Sequence, residues 1–178
     1  DAQTSSGRAM IELDQAQRLF TARDALLDRI RSAPRFEFVS SKIRVHGDYH
    51  AANVMFSPTG PDVVAVVDWE MSTIGDPLQD LGWMLATWYR PGHEPVLPNQ
   101  LMSAGELATP DELIERYGRN TDRDLSQIDW YAVLACFKLG IILEGSHARA
   151  GAGLAPKEIG DVLHTATVRL FDRALAIM

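Results

Sequence analysis

The stretch HGDYHAAN, residues 46–53, groups polar side chains between two apolar segments. Its polar members are His46, Asp48, His50 and Asn53. A further acid, Asp68, follows the apolar run VVAVV twenty residues after Asp48. Carboxylate and amide oxygens are the hard ligands that Mg²⁺ prefers, and a carboxylate that is not needed for the metal can accept a proton. The residue types and their spacing therefore predict a magnesium site with a general base beside it.

Short strands on both sides of this stretch are needed to position it. KIRV (Lys42–Val45) leads into it and NVMF (Asn53–Phe56) leads out of it. DVVAVVD (Asp62–Asp68) is rich in β-branched residues and is the best strand pattern in the chain. This order predicts that Asp48 and Asn53 share a loop and that Asp68 lies at the end of the neighbouring strand.

Helical patterns fill most of the remaining sequence. An amphipathic helix is predicted from about Met10 to Ala33, ended by Pro34. Asp76 as N-cap and Pro77 begin a helix to about Tyr89, and Thr109, Pro110 and Glu112 begin another. Two longer helices are predicted for Ser126–Ala150 and Pro156–Met178, and a long loop for residues 90–109. The predicted fold class is α+β, mainly helical, with a small β-hairpin element among five helices in a single domain over residues 1–178.

Composition excludes several classes of partner. The net charge of −7 and the pI near 5.1 argue against a nucleic-acid surface. Cys136 is the only cysteine, which excludes an internal disulfide and fits a reducing, cytoplasmic compartment. The most apolar run, Tyr131–Leu143, is shorter than the roughly 20 residues that span a bilayer and contains Lys138. We therefore expect neither nucleic acid nor a membrane as a partner.

Two groups of motifs resemble a known family. HGDYHAANVMF followed by VVDWE resembles the aminoglycoside phosphotransferase (APH) family of kinase-like enzymes. DWEMSTIGDPLQDLGWML and FKLGIILEGSHARAGAG are similar to the branch whose kinase-like domain occurs alone in bacteria or fused to acyl-CoA dehydrogenases. The resemblance extends from about Val45 to Gly153 and implies the C-terminal lobe of a protein-kinase-like fold.

The resemblance also implies roles for individual residues. It makes Asp48 the catalytic base, and Asn53 and Asp68 the Mg²⁺ ligands that hold the phosphates of ATP (or GTP). His46 would brace the catalytic loop, residues 46–53, and Asp80 would anchor it from the helix below. The metal-binding strand end is residues 68–70, where Trp69 and Glu70 replace the Phe and Gly of protein kinases, as is usual in this family.

Two further residues of this region, His50 and Glu70, each have two possible roles. His50 either contacts the acceptor or is a solvated loop histidine, and the second is favoured. Glu70 either touches a second metal ion or forms a surface salt bridge.

The parts of a kinase that cover the nucleotide phosphates are missing from the sequence. No G-x-G-x-x-G motif occurs, and none of the three lysines, Lys42, Lys138 and Lys157, fits a separate phosphate-covering sheet. We therefore expect an isolated C-terminal lobe whose N-terminal lobe is absent, and which is inactive alone.

The expected activity is ATP-dependent transfer of the γ-phosphate to a hydroxyl of a small molecule. A metabolic hydroxyl, such as that of a hydroxyacyl-CoA, is favoured over an aminoglycoside, and a choline-like or sugar alcohol stays open. The alternatives are a non-catalytic, pseudokinase-like binding module and a metal-dependent phosphoesterase whose ligands come from GDYH (Asp48 and His50), Asp68 and His93. The sequence leaves the oligomeric state open.

Overall fold

The computed structural model describes residues 17–18, 21–29, 31, 43–97 and 107–178. Residues 17–18, 21–29 and 31 are helical and form α1, which confirms the described part of the first predicted helix. The predicted ends of that helix, including Pro34, lie outside the described residues. The same holds for Lys42 and for residues 98–106 of the predicted long loop.

Four further helices follow in the described chain and confirm the predicted ones, with boundaries shifted by up to two residues. They are α2 (Leu78–Thr87), α3 (Pro110–Gly118), α4 (Ile128–Gly151) and α5 (Lys157–Ile177). At the start of α2 the Asp76 carboxylate accepts a hydrogen bond from the Leu78 N–H at 2.9 Å. At the start of α3 Thr109 and Glu112 form the predicted capping box.

Four short strands form two antiparallel pairs: β1 (Ile43–Val45), β2 (Val54–Phe56), β3 (Val63–Val66) and β4 (Thr73–Gly75). The predicted hairpin is β2–β3, in which Val54 lies opposite Val66. The sequence did not predict β4, which pairs with β1. Three residues are too few for an alternating pattern to stand out, and the partner strand lies about thirty residues earlier in the chain.

The hydrophobic core lies among the helices. α4 packs against both α5 and α2. Trp83, Cys136 and Leu170 are buried in the main cluster, while Leu81 and Tyr131 belong to a second one beside it. Since the core is helical and the strands lie at its edge, the predicted class, α+β and mainly helical, is confirmed. In the described residues, no helix combines the length and the apolar character needed to cross a membrane.

The close approach of α2 to α4 depends on Gly82. A Cβ at this position would lie 2.7 Å from the backbone carbonyl of Tyr131, closer than packed atoms approach. The glycine therefore lets α2 lie directly on α4. This contact fixes the position of the first turn of α2, which carries Asp80.

Candidate active site

Asp80 holds the start of the loop that contains residues 46–53. Its Oδ2 accepts the His46 N–H at 2.7 Å, and its Oδ1 accepts the Gly47 N–H at 2.9 Å. Asp80 lies in the first turn of α2, where the partial positive charge of the helix N-terminus favours a carboxylate. Two charge-assisted hydrogen bonds therefore tie the loop to a helix of the core.

His46 joins the loop to the segment that follows β3. Its side chain is 2% exposed. The Nε2–H donates to the Val67 carbonyl at 2.7 Å, while Nδ1 accepts the Asp48 N–H at 3.3 Å. These two contacts require the neutral tautomer with its proton on Nε2. The imidazole thus connects Asp48 to the residue before Asp68.

Gly47 has a backbone conformation and surroundings that exclude a side chain. Its φ is +86°, in the left-handed region that glycine adopts without a steric penalty. A Cβ at this position would also overlap the carbonyl oxygen of Met71. The glycine therefore lets the loop turn sharply between His46 and Asp48.

Asn53 and Asp48 are hydrogen-bonded to each other. The Asn53 Nδ2 donates to the Asp48 backbone carbonyl at 2.9 Å and to its Oδ2 at 3.3 Å. Asn53 is 8% exposed, whereas the Asp48 side chain keeps 25% of its surface exposed. Because the amide donates through nitrogen, its oxygen is left to face another donor or a metal ion.

Asp68 lies at the same end of the β2–β3 hairpin as Asn53. The Val67 N–H donates to the Asn53 carbonyl at 2.9 Å. Asp68 is exposed and is the only non-glycine residue with positive φ in the described chain, at φ 65° and ψ 56°. A strained backbone of this kind costs roughly 1–3 kcal/mol and persists where the surroundings impose it, often at functional sites.

The donors in this region fit a magnesium ion. Asn53 offers a free amide oxygen and Asp68 an exposed carboxylate, both hard ligands of the kind that Mg²⁺ takes while keeping water and phosphate oxygens in its other positions. Glu70, two residues further on, is also exposed.

His50 is a partly solvated loop histidine, as favoured, but it also makes two contacts within the loop. Its Nδ1 accepts the Ala52 N–H at 3.2 Å, which caps the short 3₁₀ turn Ala51–Asn53. Its Nε2 lies 3.5 Å from the Asp48 Oδ1, and the side chain is 28% exposed. The spacing alone did not show this, because the contact depends on the turn between the two residues.

A cavity of about 470 Å³ lies beside the loop and between α2 and α3. His46 and Tyr49 of the loop line it, together with Trp69 from the turn that follows β3. Other parts of its wall come from Leu81 and Met84 of α2, and from Leu113, Arg116 and Tyr117 of α3. Burial raises the pKa of Tyr117. The sequence did not single out Arg116 or Tyr117, because their place in the wall depends on how α3 folds across α2.

Comparison with known proteins places this chain beside phosphotransferases. The sequence profile of the phosphotransferase enzyme family (APH) matches residues 2–116. The solved structure of a Ralstonia eutropha protein assigned as an aminoglycoside phosphotransferase superposes with a TM-score of 0.67 at 27% identity. That superposition covers 88% of this chain and 49% of the other.

Two related proteins of the mouse, Mus musculus, are much longer than this chain. Acyl-CoA dehydrogenase family member 10 is 31% identical over 115 residues, and family member 11 is 34% identical over 114 residues. Each match covers 62% of this chain, but only 11% and 15% of the two relatives. The chain thus spans a small part of these relatives and about half of the solved structure.

Proposed function

Because the chain belongs to the phosphotransferase enzyme family and has a kinase-like fold, we propose that it is the catalytic lobe of an ATP- or GTP-dependent enzyme that phosphorylates a hydroxyl group. The observation that carries this proposal is the arrangement around Asp48. Its carboxylate is partly exposed and hydrogen-bonded to Asn53, at the end of the hairpin where Asp68 also lies.

In the proposed reaction Asp48 orients the acceptor hydroxyl and takes its proton. The amide oxygen of Asn53 and the carboxylate of Asp68 would hold Mg²⁺ with the nucleotide phosphates. Bound Mg²⁺ supplies neutralisation of the charge on the transferring phosphoryl group. Phosphoryl transfer needs little covalent help from the protein, so positioning by these residues carries most of the catalysis.

His46 and Asp80 act in this proposal as positioning residues. Neither touches a reacting atom. The Asp80 carboxylate fixes two backbone N–H groups before Asp48, and the His46 ring links Asp48 to Val67. An error of about 1 Å in the position of a catalytic group costs on the order of a hundredfold in rate, so both residues are expected to affect turnover.

The cavity beside the loop supports an acyl acceptor over an aminoglycoside. Its wall is largely apolar, and its one Lys or Arg side chain is Arg116. An aminoglycoside carries several positive charges, which apolar walls would desolvate, and the one carboxylate of the lining, Asp80, already accepts two backbone hydrogen bonds. A hydroxyacyl-CoA instead offers an apolar chain and anionic phosphates, and the names of the mouse relatives point to acyl-CoA chemistry.

The chain alone is proposed to bind Mg-nucleotide weakly and not to turn over. Support comes from apolar side chains on the strands, of which Met55, Phe56, Val63, Val64 and Ile74 are each at least half exposed. Exposed apolar surface of this kind is typical of a contact face. An N-terminal lobe over these strands would cover them and close the site over the nucleotide phosphates.

The test is a nucleotide-turnover screen of the protein together with its N-terminal lobe, against hydroxylated acyl-CoAs, aminoglycosides and amino alcohols. We expect the highest kcat/KM with a hydroxyacyl-CoA, a KM for it that rises at least tenfold in Arg116→Gln, and no change in Arg119→Gln, an exposed residue that follows the same helix and does not line the cavity. Preferred turnover of aminoglycosides would reject the acceptor class. No phosphate transfer with any acceptor, while nucleotide still binds, would favour the binding module instead.

The phosphoesterase alternative lacks a ligand cluster in the described residues. Such sites combine several His and Asp ligands, yet Asp48, His50, Asp68 and His93 do not form a group of three with ligand atoms close together. The kinase-type arrangement is therefore the better explanation of this loop.

A further inference from the structure

Two histidines and a glutamate meet where α4 packs against α5. Glu144 and His147 lie about one turn apart on α4, and His164 lies on α5. One ligand atom of each residue lies within 4.8 Å of those of the other two. Within the described chain, this is the one such group of His, Cys, Asp and Glu side chains.

The two helices already contact each other through this group. The His164 Nδ1 lies 3.0 and 3.2 Å from the two carboxylate oxygens of Glu144. The imidazole rings of His147 and His164 are 4.7 Å apart, at an interplanar angle of 34°. Three potential ligands from two packed helices therefore share one small volume.

His147 has one buried ring nitrogen, Nδ1, without a hydrogen-bond partner among the described residues. Buried polar atoms in proteins nearly always have a partner, and an exception calls for an explanation. Gly160 on α5 lies next to this ring, and a Cβ there would lie 3.4 Å from the His147 Nδ1. The glycine keeps α5 close enough for both imidazoles to meet.

We propose that Glu144, His147 and His164 bind one divalent transition-metal ion, with Zn²⁺ as the best match. Two imidazoles and a carboxylate are a common zinc ligand set, and a fourth position is left to solvent, since the Glu144 and His164 side chains are 37% and 23% exposed. Imidazole nitrogen is a poor ligand for Mg²⁺ and Ca²⁺, so this site differs in metal class from the oxygen ligands near Asp48.

The geometry needs only a small adjustment to accept the ion. Ligand atoms about 2.0–2.2 Å from a tetrahedral Zn²⁺ lie about 3.4 Å from one another. The His164–Glu144 distances already fall near this value, and the His147 ligand atom, within 4.8 Å of the other two, has to approach them by at most about 1.4 Å. The bound ion would crosslink α4 to α5.

The test measures Zn²⁺ binding by isothermal titration calorimetry on tag-free protein, with metal content after dialysis as a second readout. We expect one equivalent of Zn²⁺, a higher melting temperature with Zn²⁺ than without, and no such rise with Mg²⁺. His164→Gln and Glu144→Gln keep hydrogen-bonding groups between the helices and should weaken Zn²⁺ binding at least tenfold. His147→Gln should do the same.

Two control variants separate this site from others. His93→Gln removes an exposed histidine on the loop after α2, and Asp68→Asn removes a proposed Mg²⁺ ligand. Both should still bind one equivalent of Zn²⁺. Absence of stoichiometric binding by the unmodified protein, or unchanged binding by folded His164→Gln and Glu144→Gln variants, would overturn the proposal.

Discussion

The Asp48 carboxylate is held by side chains only a few residues away from it. Asn53 donates to its Oδ2, and His50 lies next to its Oδ1. These contacts join residues that are close in sequence, so the spacing within residues 46–53 was enough to predict that Asp48 and Asn53 share one loop. The contact with His50 was missed because it needs the 3₁₀ turn that His50 itself caps.

Replacement of the proposed base tests the chemistry directly. In a protein that combines this chain with a phosphate-covering lobe, Asp48→Asn should lower kcat by about 10²–10⁴, the usual contribution of general-base catalysis. Nucleotide affinity should stay within about twofold, because Asp48 is not a proposed metal ligand. Steady-state kinetics and a nucleotide titration measure the two effects. Asp62→Asn, on the exposed turn before β3, is the control, and wild-type turnover in Asp48→Asn would exclude the assignment.

A comparison of Gly47 with Gly92 separates the effect of a steric clash from that of a left-handed backbone. Gly92 also has positive φ, at +76°, but a Cβ there would meet no atom within 4 Å. We expect Gly92→Ala to cost about 1 kcal/mol of unfolding free energy. Gly47→Ala should cost clearly more, because the added methyl overlaps the Met71 carbonyl. Urea denaturation of both variants measures the difference, and equal losses would mean that the loop simply moves aside.

Helix α3 has a capping box at its N-terminus and supplies part of the cavity wall further along. Thr109 and Glu112 cap its N-terminus, and Arg116 and Tyr117 of the same helix line the cavity. The backbone hydrogen bond from Thr109, followed by that of its hydroxyl, lowers the pKa of Glu112. The contribution of this carboxylate to stability is therefore present above its unfolded pKa and is lost as the pH falls through its lowered folded pKa.

Removal of this cap should affect both stability and acceptor binding. Thr109→Ala is expected to cost about 1 kcal/mol of unfolding free energy, the usual value for an N-cap, whereas Thr109→Ser keeps the hydroxyl and should cost little. The acceptor KM should rise in the alanine variant, since Arg116 and Tyr117 lie on the loosened helix. Chemical denaturation and kinetics provide the two measurements, and an alanine variant as stable as the serine variant would contradict the role of the cap.

Elements with strong local signals were predicted from the sequence, and those that depend on distant pairing were not. The capping residues at Thr109 and Pro110 marked the start of α3 to the residue. By contrast, β4 has only three residues and is defined by its pairing with β1. The cavity was missed for the same reason, because its two helical walls meet only after the chain has folded.

For the whole molecule, Cys136 reports on the integrity of the helical core. Its side chain is fully buried, and burial raises the pKa of its thiol to about 12. The thiolate is the reactive form of cysteine. A thiol that ionises only near pH 12 and has no contact with solvent can react only when the core opens.

Thiol labelling therefore measures global opening. We expect Cys136 to react slowly with a disulfide reagent in the native protein, even at pH 9, where an ordinary thiol is largely ionised. The labelling rate should rise with urea in parallel with loss of helical circular dichroism. Above pH 9 the unfolded thiol loses its proton before the folded one, so this group lowers stability as the pH rises towards 12. Fast labelling without urea would contradict this account of the core.

The two hydrogen bonds of Asp80 also have a consequence for heat inactivation. They attach the proposed catalytic loop to α2, and Gly82 on that helix lets it lie directly against α4. The start of the loop is thus fixed directly to the helical core, in addition to its contact with Val67. In a protein that combines this chain with a phosphate-covering lobe, heat should therefore abolish activity and the helical structure of this lobe at the same temperature, with no folded but inactive form between them.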